Sequence, residues 1–327
     1  MSKRQRITPV WLGIVVFLVA FIAGAVSKFA IQPSWAKEYS AKWSDEIGTL
    51  KSDLPYGEGD EQKFDLYLPK DNSRDVYGLA IYLHAGGFTQ GDKADDRDML
   101  AWLCKKGYVA AGINYTLAKD LGGVSSNGAS VYTQSNEIKA AIPEVIKAAA
   151  AAGYPIDKMT IAGGSAGHAL AMIYAYRDAK EAPVPVVFTF GAVGPSCFYR
   201  EDWDCYGMTG EDERSYQVTM AMFSAMLGEL IPIERVKDGS YQEMMKPISA
   251  MEWITPDAPP SVVAYGTKDK IQAFKASLRL KAALEKNGVD FKYFEMPHSG
   301  HGLQNDSRIQ KQWIMAVDAY LDKYMPL

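Results

Sequence analysis

The chain has 327 residues, of which 48% are hydrophobic and 23% are charged, and its formal net charge is −4. This composition supplies the apolar material for one sizeable folded domain and lacks the basic surplus that is typical of nucleic-acid-binding proteins. No motif indicates a cofactor, and no group of histidines and cysteines has the spacing of a zinc site. We therefore expect a globular protein that needs neither a metal nor a cofactor and does not bind nucleic acid.

The amino terminus has the pattern of a segment that enters a membrane. Lys3, Arg4 and Arg6 precede a stretch from Ile7 to Ser27 that carries no charge and consists mainly of Val, Ile, Leu, Phe and Ala. A membrane-spanning helix needs about 20 largely apolar residues, whereas the apolar core of a cleaved signal has about 7–15. The length of the stretch therefore favours an uncleaved anchor.

Cleavage of this segment stays open, because Ala23 and Ala25 form a small-x-small pattern of the kind that signal peptidases cut. In both cases the leading basic residues stay in the cytoplasm and the rest of the chain faces the other side of the membrane. We predict an anchor or signal segment with a linker in residues 1–40 and one large domain in residues 41–327. The domain is expected at the cell membrane, or secreted if the segment is removed.

Seven apolar runs of strand length follow, and helical patterns separate the later ones. The predicted strands are Phe64–Leu68, Leu79–Leu83, Val109–Ile113, Met159–Ala162, Val184–Phe190, Val262–Tyr265 and Phe291–Met296. Strands that alternate with helices are typical of an α/β fold, in which a mostly parallel sheet carries helices on both faces. We expect this architecture for the domain.

The second predicted strand ends in a loop of small residues. His84, Ala85, Gly86 and Gly87 follow Leu83, and such a loop can direct backbone N–H groups at a developing negative charge. The loop resembles the His-Gly-Gly-Gly motif of lipases and esterases, with Ala85 in place of the first glycine. By position, Gly86 and Gly87 would donate to an oxyanion; an ordinary glycine turn is the alternative.

The segment from Gly163 to Gly167 reads G-x-S-x-G and centres on Ser165. An apolar run before it and a helical pattern after it give the strand–turn–helix context of a nucleophile elbow, in which the turn exposes the serine hydroxyl. A Cβ at either outer glycine would collide with the neighbouring strand or helix. Ser165 is therefore the candidate nucleophile, with a structural turn as the alternative, and the N–H of Ala166 completes the predicted oxyanion hole.

The interval 197–253 interrupts the alternation of strands and helices. Met220, Phe223, Leu227 and Leu230 recur in it at helical spacing, which predicts a helical cap inserted over the active-site edge of the sheet. Flexible methionine side chains suit an adaptable apolar acyl pocket, although plain helix packing explains any single one of them equally well. The methionines in question are Met208, Met220, Met222 and Met226.

The chain has three cysteines. Cys104 lies at a predicted buried helix position, where a free cysteine acts as a small apolar side chain. Cys197 and Cys205 lie eight residues apart, and they would either close a short disulfide loop in an oxidising compartment or remain two free thiols. The spacing alone does not decide between these two states.

A serine nucleophile needs an orienting carboxylate, and the loop after the strand Val262–Tyr265 supplies one. Asp269 follows Gly266 at the carboxyl end of that strand, where a carboxylate can hold an imidazole in the required tautomer and stabilise its charged form. The rival, Asp257, precedes the strand and falls at the opposite end of the sheet. A solvated loop aspartate is the alternative interpretation of Asp269.

The base must be one of four histidines. His168 starts the helix beside the serine and is expected to be a packing residue, and His84 belongs to the small-residue loop. His301 lies between two glycines in a loop that can present it at the top of the sheet, whereas His298 follows Pro297 and more readily shapes the loop. We predict His301 as the base, with His298 as the alternative.

These motifs resemble the α/β-hydrolases of the hormone-sensitive-lipase-like and BD-FAE-like (alpha/beta hydrolase fold-3) esterase group. The resembling stretches, in the order of that family, read YLHAGGFTQGDK, GYVAAGINYTLA, TIAGGSAGHALA, ITPDAPPSVVAYGTKDK and MPHSGHGL. Ala85 departs from the family pattern, as does Thr116, where the family usually has arginine, but neither change removes a catalytic group. The resemblance implies the α/β-hydrolase fold and hydrolysis of carboxylic esters through an acyl-enzyme.

The predicted triad of Ser165, Asp269 and His301 thus indicates a serine esterase that acts on a small-molecule ester. A peptidase or an acyltransferase would use the same residues, so both remain alternatives. A membrane-tethered binding protein on the same fold would be expected to lack a member of the triad, and none is missing. The acyl length, the alcohol and the oligomeric state do not follow from these motifs.

Overall fold

The computed structural model describes residues 33–327, and the chain divides after Tyr39 into two units. In the first unit the structure describes the 3₁₀ helix Ser34–Glu38; the second unit is Ser40–Leu327. Within residues 33–327 no helix has the length and apolar character needed to cross a membrane. The stretch 7–27, and with it the predicted anchor or signal, lies outside the described residues and stays a prediction.

The second unit is built on an eight-stranded sheet in the order β1-β2-β4-β3-β5-β6-β7-β8. The pairs β1–β2 and β2–β4 are antiparallel, and the other pairs are parallel, which confirms the mostly parallel sheet. All seven predicted strands are present, Val109–Ile113 and Phe291–Met296 with the predicted ends and the other five with shifted ends, and β1 was not predicted. The strands are β1 Gly48–Pro55, β2 Lys63–Pro69, β3 Tyr77–Leu83, β4 Val109–Ile113, β5 Ile156–Gly164, β6 Val186–Ala192, β7 Ser261–Gly266 and β8 Phe291–Met296.

Helices cover both faces of this sheet. Every residue of β3, β4 and β7 is buried, and because successive side chains of a strand point to opposite faces, both faces must be covered. The α-helices of the described chain are α1 Arg97–Lys106, α2 Val131–Ala151, α3 Ala166–Ile173, α4 Glu213–Leu227, α5 Ile233–Asp238, α6 Tyr241–Met245, α7 Phe274–Lys286 and α8 Ser307–Tyr324.

The interval 197–253 contains the helices α4, α5 and α6 and several short 3₁₀ helices, joined by irregular segments. The predicted helix ends earlier than expected, because Gly228 adopts the left-handed conformation (φ 84°) that terminates a helix. The prediction that Leu230 belongs to this helix is therefore wrong, and its side chain is 66% exposed. Met208 is fully buried in the hydrophobic core and is not among the residues that line the cavity beside Ser165.

The three cysteines are all free thiols. Cys104 is buried within α1, as predicted. Cys197 is buried with its Sγ 3.7 Å from the carbonyl oxygen of Ala276, whereas Cys205 is exposed. The disulfide that the spacing left open is therefore not formed in this structure.

The sheet brings the predicted site residues to one edge. Parallel strands place their carboxyl ends at the same edge, where ligands bind in open α/β sheets. The loops that leave β3, β5, β7 and β8 carry the small-residue segment, Ser165, Asp269 and His301, respectively. Residues that are up to 217 positions apart in the sequence thereby share one small region.

Candidate active site

Ser165 lies in a strained turn between β5 and α3. Its backbone has φ 50° and ψ −116°, a conformation that residues other than glycine rarely adopt. The turn is tight enough that a Cβ on Gly163 would lie 2.4 Å from the carbonyl carbon of Gly167, and one on Gly167 would lie 2.0 Å from the carbonyl oxygen of Leu83. The collisions expected from the sequence are present, so both glycines are required for α3 to approach the sheet.

We expect Gly167→Ala to lower the free energy of unfolding by about 1–3 kcal/mol or more, because its methyl group would overlap rigid backbone. Gly164 is the matched control: a Cβ there would lie 3.7 Å from its nearest neighbour, the Tyr82 hydroxyl, which is ordinary contact. Urea denaturation of both variants measures the difference. Equal stabilities for Gly167→Ala and Gly164→Ala would contradict the close approach of α3.

The structure brings Ser165, His301 and Asp269 into one chain of hydrogen bonds. The Nε2 atom of His301 lies 2.8 Å from Oγ of Ser165, and its Nδ1 atom lies 2.7 Å from Oδ2 of Asp269. These contacts fit an imidazole whose Nδ1–H donates to the carboxylate while Nε2 accepts from the serine hydroxyl. In this state the imidazole can take the serine proton.

The carboxylate of Asp269 is held from its other side. Its Oδ1 accepts hydrogen bonds from the backbone N–H groups of Ile271 (2.8 Å) and Gln272 (3.0 Å). The side chain of Asp269 is almost completely buried, whereas that of His301 is partly exposed. The two backbone donors fix the carboxylate, so that Oδ2 alone faces the histidine.

The rival residues lie elsewhere. Burial lowers the pKa of His168 to about 3, and its Nδ1 accepts from the Gly194 N–H at 3.1 Å, so it is a neutral packing residue. Burial likewise lowers the pKa of His84, whose ring stacks on Tyr115 at 4.3 Å. Asp257 is exposed in a turn before β7, at the far end of the strand from Asp269.

His298 is bound to a residue that sequence reasoning missed. Asp306, which is nearly buried, accepts through Oδ1 from Nδ1 of His298 (2.8 Å) and through Oδ2 from the His298 N–H (3.0 Å). Its Oδ2 also accepts from the Ser299 hydroxyl at 2.6 Å, and that hydroxyl accepts from the Asn305 N–H at 3.1 Å. These bonds join both ends of the loop that presents His301. Nothing in the spacing of Asp306 signals this contact.

We expect Asp306→Asn to lower kcat by about 10- to 100-fold, since small misplacements of a catalytic group have effects of this size. An amide has one accepting oxygen, so at least one of the three donors from His298 and Ser299 would face an NH₂ group. Asp318→Asn, which breaks the ion pair to Lys106, is the control on the neighbouring helix. Steady-state kinetics with an unchanged KM would assign the loss to misplacement of His301.

The small-residue loop after β3 approaches Ser165. Gly87 (φ 59°) and Ala166 line the same cavity as Ser165, and neither N–H donates a hydrogen bond within residues 33–327. Gly86 does not belong to the wall of this cavity in the described chain; its carbonyl accepts from Thr89 and Gln90 N–H groups and closes the turn. Two free donors thus lie beside the serine.

The cavity beside Ser165 has a volume of about 80 Å³. Sequence reasoning located the contribution of the predicted cap only in part: Met222 and Met226 line the cavity, whereas Met220 does not. It missed Trp203 and Tyr206 from the same interval, and Leu121, Val193 and Ile271 from the loops of the sheet edge, because residues remote in the sequence meet here without a shared motif. The complete wall comprises Gly87, Phe88, Leu121, Ser165, Ala166, Val193, Pro195, Trp203, Tyr206, Met222, Met226, Ile271, Gln272 and His301.

Solved structures share this fold. A truncated carbohydrate esterase from gut microbiota is 19% identical, with a TM-score of 0.64 over 86% of this chain and 99% of the other. An esterase from the Planctomycetes species Thermogutta terrifontis is 18% identical, with a TM-score of 0.61 over 86% of this chain and 95% of the other. These similarities show that the chain has the α/β-hydrolase fold.

Sequence matches agree with this fold. Kynurenine formamidase of Danio rerio is 43% identical over 67 residues, which are 20% of this chain and 22% of that protein. The matched region thus spans about a fifth of the relative. A family model described as BD-FAE covers much more, matching residues 64–284, about two thirds of the chain. The chain therefore belongs to the BD-FAE family of α/β-hydrolases.

Proposed function

We propose that the protein is a serine hydrolase that cleaves carboxylic esters through an acyl-enzyme. The observation that carries this proposal is the hydrogen-bonded chain from Ser165 through His301 to Asp269, with contacts of 2.8 and 2.7 Å, at the wall of a cavity. Membership of the BD-FAE family and the fold shared with esterases support the same reaction.

The chemistry follows from these contacts. His301 takes the proton of Ser165 as the serine oxygen attacks the ester carbonyl, and the charge that forms on the imidazole is stabilised by Asp269. His301 then gives the proton to the departing alcohol, which leaves an acyl group on Ser165. Water, activated by the same histidine, attacks this acyl-enzyme and releases the acid.

The negative charge on the substrate oxygen needs donors that are fixed before the reaction. The free N–H groups of Gly87, on the loop after β3, and of Ala166, at the start of α3, lie in the wall beside Ser165. These groups form the proposed oxyanion hole. Preorganised donors of this kind each contribute about 10²–10³-fold to turnover.

Labelling and turnover together test the proposal. Protein lacking the first forty residues is incubated with a fluorophosphonate probe, and the modified peptide is identified by mass spectrometry. Rapid mixing with p-nitrophenyl acetate measures the first turnover. Modification of Ser165 and a burst of about one p-nitrophenol per enzyme are expected from an acyl-enzyme; an unlabelled protein that turns over no ester would overturn the proposal.

The local match to kynurenine formamidase favours a second candidate reaction, hydrolysis of an N-formyl amide. Ser165 would attack the carbonyl carbon of the formyl group. This carbon bears a hydrogen where a longer acyl group has an alkyl chain, so a small cavity can accommodate it. Hydrolysis of formanilide, measured as the release of aniline, tests this activity. A kcat/KM for formanilide above that for phenyl acetate would assign the protein to amides in place of esters.

A further inference from the structure

Residues of the interval 197–253 contribute part of the wall of the cavity next to Ser165. Trp203, Met222 and Met226 belong to this part, and with Val193 and Leu121 they surround the serine with apolar side chains. The volume of about 80 Å³ is well below the 300–1,000 Å³ that is typical of pockets for drug-sized ligands. The proposed acyl site is therefore small and mainly apolar.

The wall cannot easily recede. Trp203 is 1% exposed and lies between two aromatic rings: Phe198 stacks on it at 5.8 Å, and Phe223 meets it edge-on at 6.0 Å. Met226 is also buried, and it belongs to the hydrophobic core. A close-packed core does not easily rearrange to make room for a larger ligand. These side chains therefore limit the size of the cavity.

The volume of the cavity limits the length of the acyl chain that it can hold. A cavity of about 150 Å³ accommodates benzene, which has six carbon atoms, so one of about 80 Å³ holds about three carbons beyond the carbonyl. We propose that the substrate carries an acyl group of about two to four carbons, and that Met222 and Met226 set this limit. This inference rests on the proposed function of Ser165.

The two methionines act from one helix face. Residues four positions apart on a helix lie one above the other, so Met222 and Met226 of α4 face the cavity together. Met220 lies two positions before Met222, on a different side of α4, and packs against the core without lining the cavity. Met220→Ala therefore removes the same chemical group from the same helix without enlarging the acyl site.

The test compares p-nitrophenyl acetate, butyrate, hexanoate and octanoate. For the wild-type protein we expect kcat/KM to fall by about 10-fold or more from butyrate to hexanoate, since a pocket discriminates a few methylenes by such factors. Met226→Ala and Met222→Ala should each raise the hexanoate-to-butyrate ratio by about 10-fold, and Met220→Ala should leave it unchanged. The ratio is independent of the amount of folded protein, and the partly buried Met222 provides a second variant if Met226→Ala folds poorly.

The outcomes separate the two proposals. Wild-type protein that cleaves octanoate as fast as butyrate, or alanine variants with an unaltered ratio, would overturn the acyl limit while fluorophosphonate labelling of Ser165 upholds the hydrolase. Loss of both labelling and ester turnover in the wild type would overturn the proposed function and the acyl limit with it.

Discussion

Replacing Ser165 with alanine is expected to lower kcat for p-nitrophenyl acetate by about 10⁵- to 10⁶-fold, the range seen when a triad serine is removed. The Oγ atom is the group that would form the covalent bond, and its hydrogen bond within the described chain goes to Nε2 of His301. No neighbouring hydroxyl can replace it at the elbow, because α3 starts with Ala166 and Gly167. The rate is measured at saturating substrate with purified protein.

Ser196→Ala is the matched control for this experiment. The Ser196 hydroxyl is buried and has no hydrogen-bond partner within residues 33–327, so its removal is expected to leave kcat within about twofold and stability nearly unchanged. The fluorophosphonate probe should label Ser196→Ala, which keeps Ser165, and should not label Ser165→Ala. Retention of more than about a tenth of the activity by Ser165→Ala would show that another group attacks the ester.

The residues around Ser165 could be predicted because their geometry is encoded locally. A turn in which Gly163 and Gly167 meet the backbone of neighbouring elements admits no side chain, so the requirement appears in the sequence as a fixed spacing of glycines. The same holds for Asp269 and His301, whose loops follow apolar runs that are recognisable as strands. The pairing of these loops then follows from the parallel sheet.

Strand β1 could not be predicted by the same reasoning. It forms one edge of the sheet, all eight of its residues are exposed or half-buried, and its sequence GTLKSDLP has no regular alternation of apolar and polar residues. A register shift between Lys51 and Leu54 interrupts its pairing with β2, and Asp53 in this interval has φ 58°. Its stability comes from hydrogen bonds to β2, which no local pattern reports.

The wall of the cavity shows a different limit. Met208, Met222 and Met226 are equivalent as sequence signals, yet Met222 and Met226 line the cavity and Met208 does not, although Met208 and Met226 both belong to the hydrophobic core. The difference depends on how the turns around Trp203 pack against α4, which is a property of the tertiary structure. A composition rich in methionine therefore indicates an apolar cluster without distinguishing core from pocket.

Asp269→Asn is expected to lower kcat by about 10⁴-fold, because it imposes the wrong tautomer on the base. Oδ1 of Asp269 accepts two backbone N–H groups, from Ile271 and Gln272. An asparagine would keep its oxygen at this position, since its NH₂ group cannot accept these bonds. The NH₂ group then takes the place of Oδ2 and donates to Nδ1 of His301.

A histidine that accepts at Nδ1 carries its proton on Nε2, so it presents a donor to Ser165 and cannot take the serine proton. Asp257→Asn, in the exposed turn before β7, changes the same charge and should leave kcat within about twofold. Both variants are compared at pH 7 with p-nitrophenyl acetate. Because each removes one negative charge, a difference in kcat between them reports the position of the lost carboxylate and not the change in net charge. If Asp269→Asn kept kcat within tenfold of the wild type, the carboxylate would not control the tautomer of His301. The N–H groups of Ile271 and Gln272 fix the orientation of the amide in Asp269→Asn. The expected loss of kcat therefore depends on the loop after β7 as well as on the three residues of the triad.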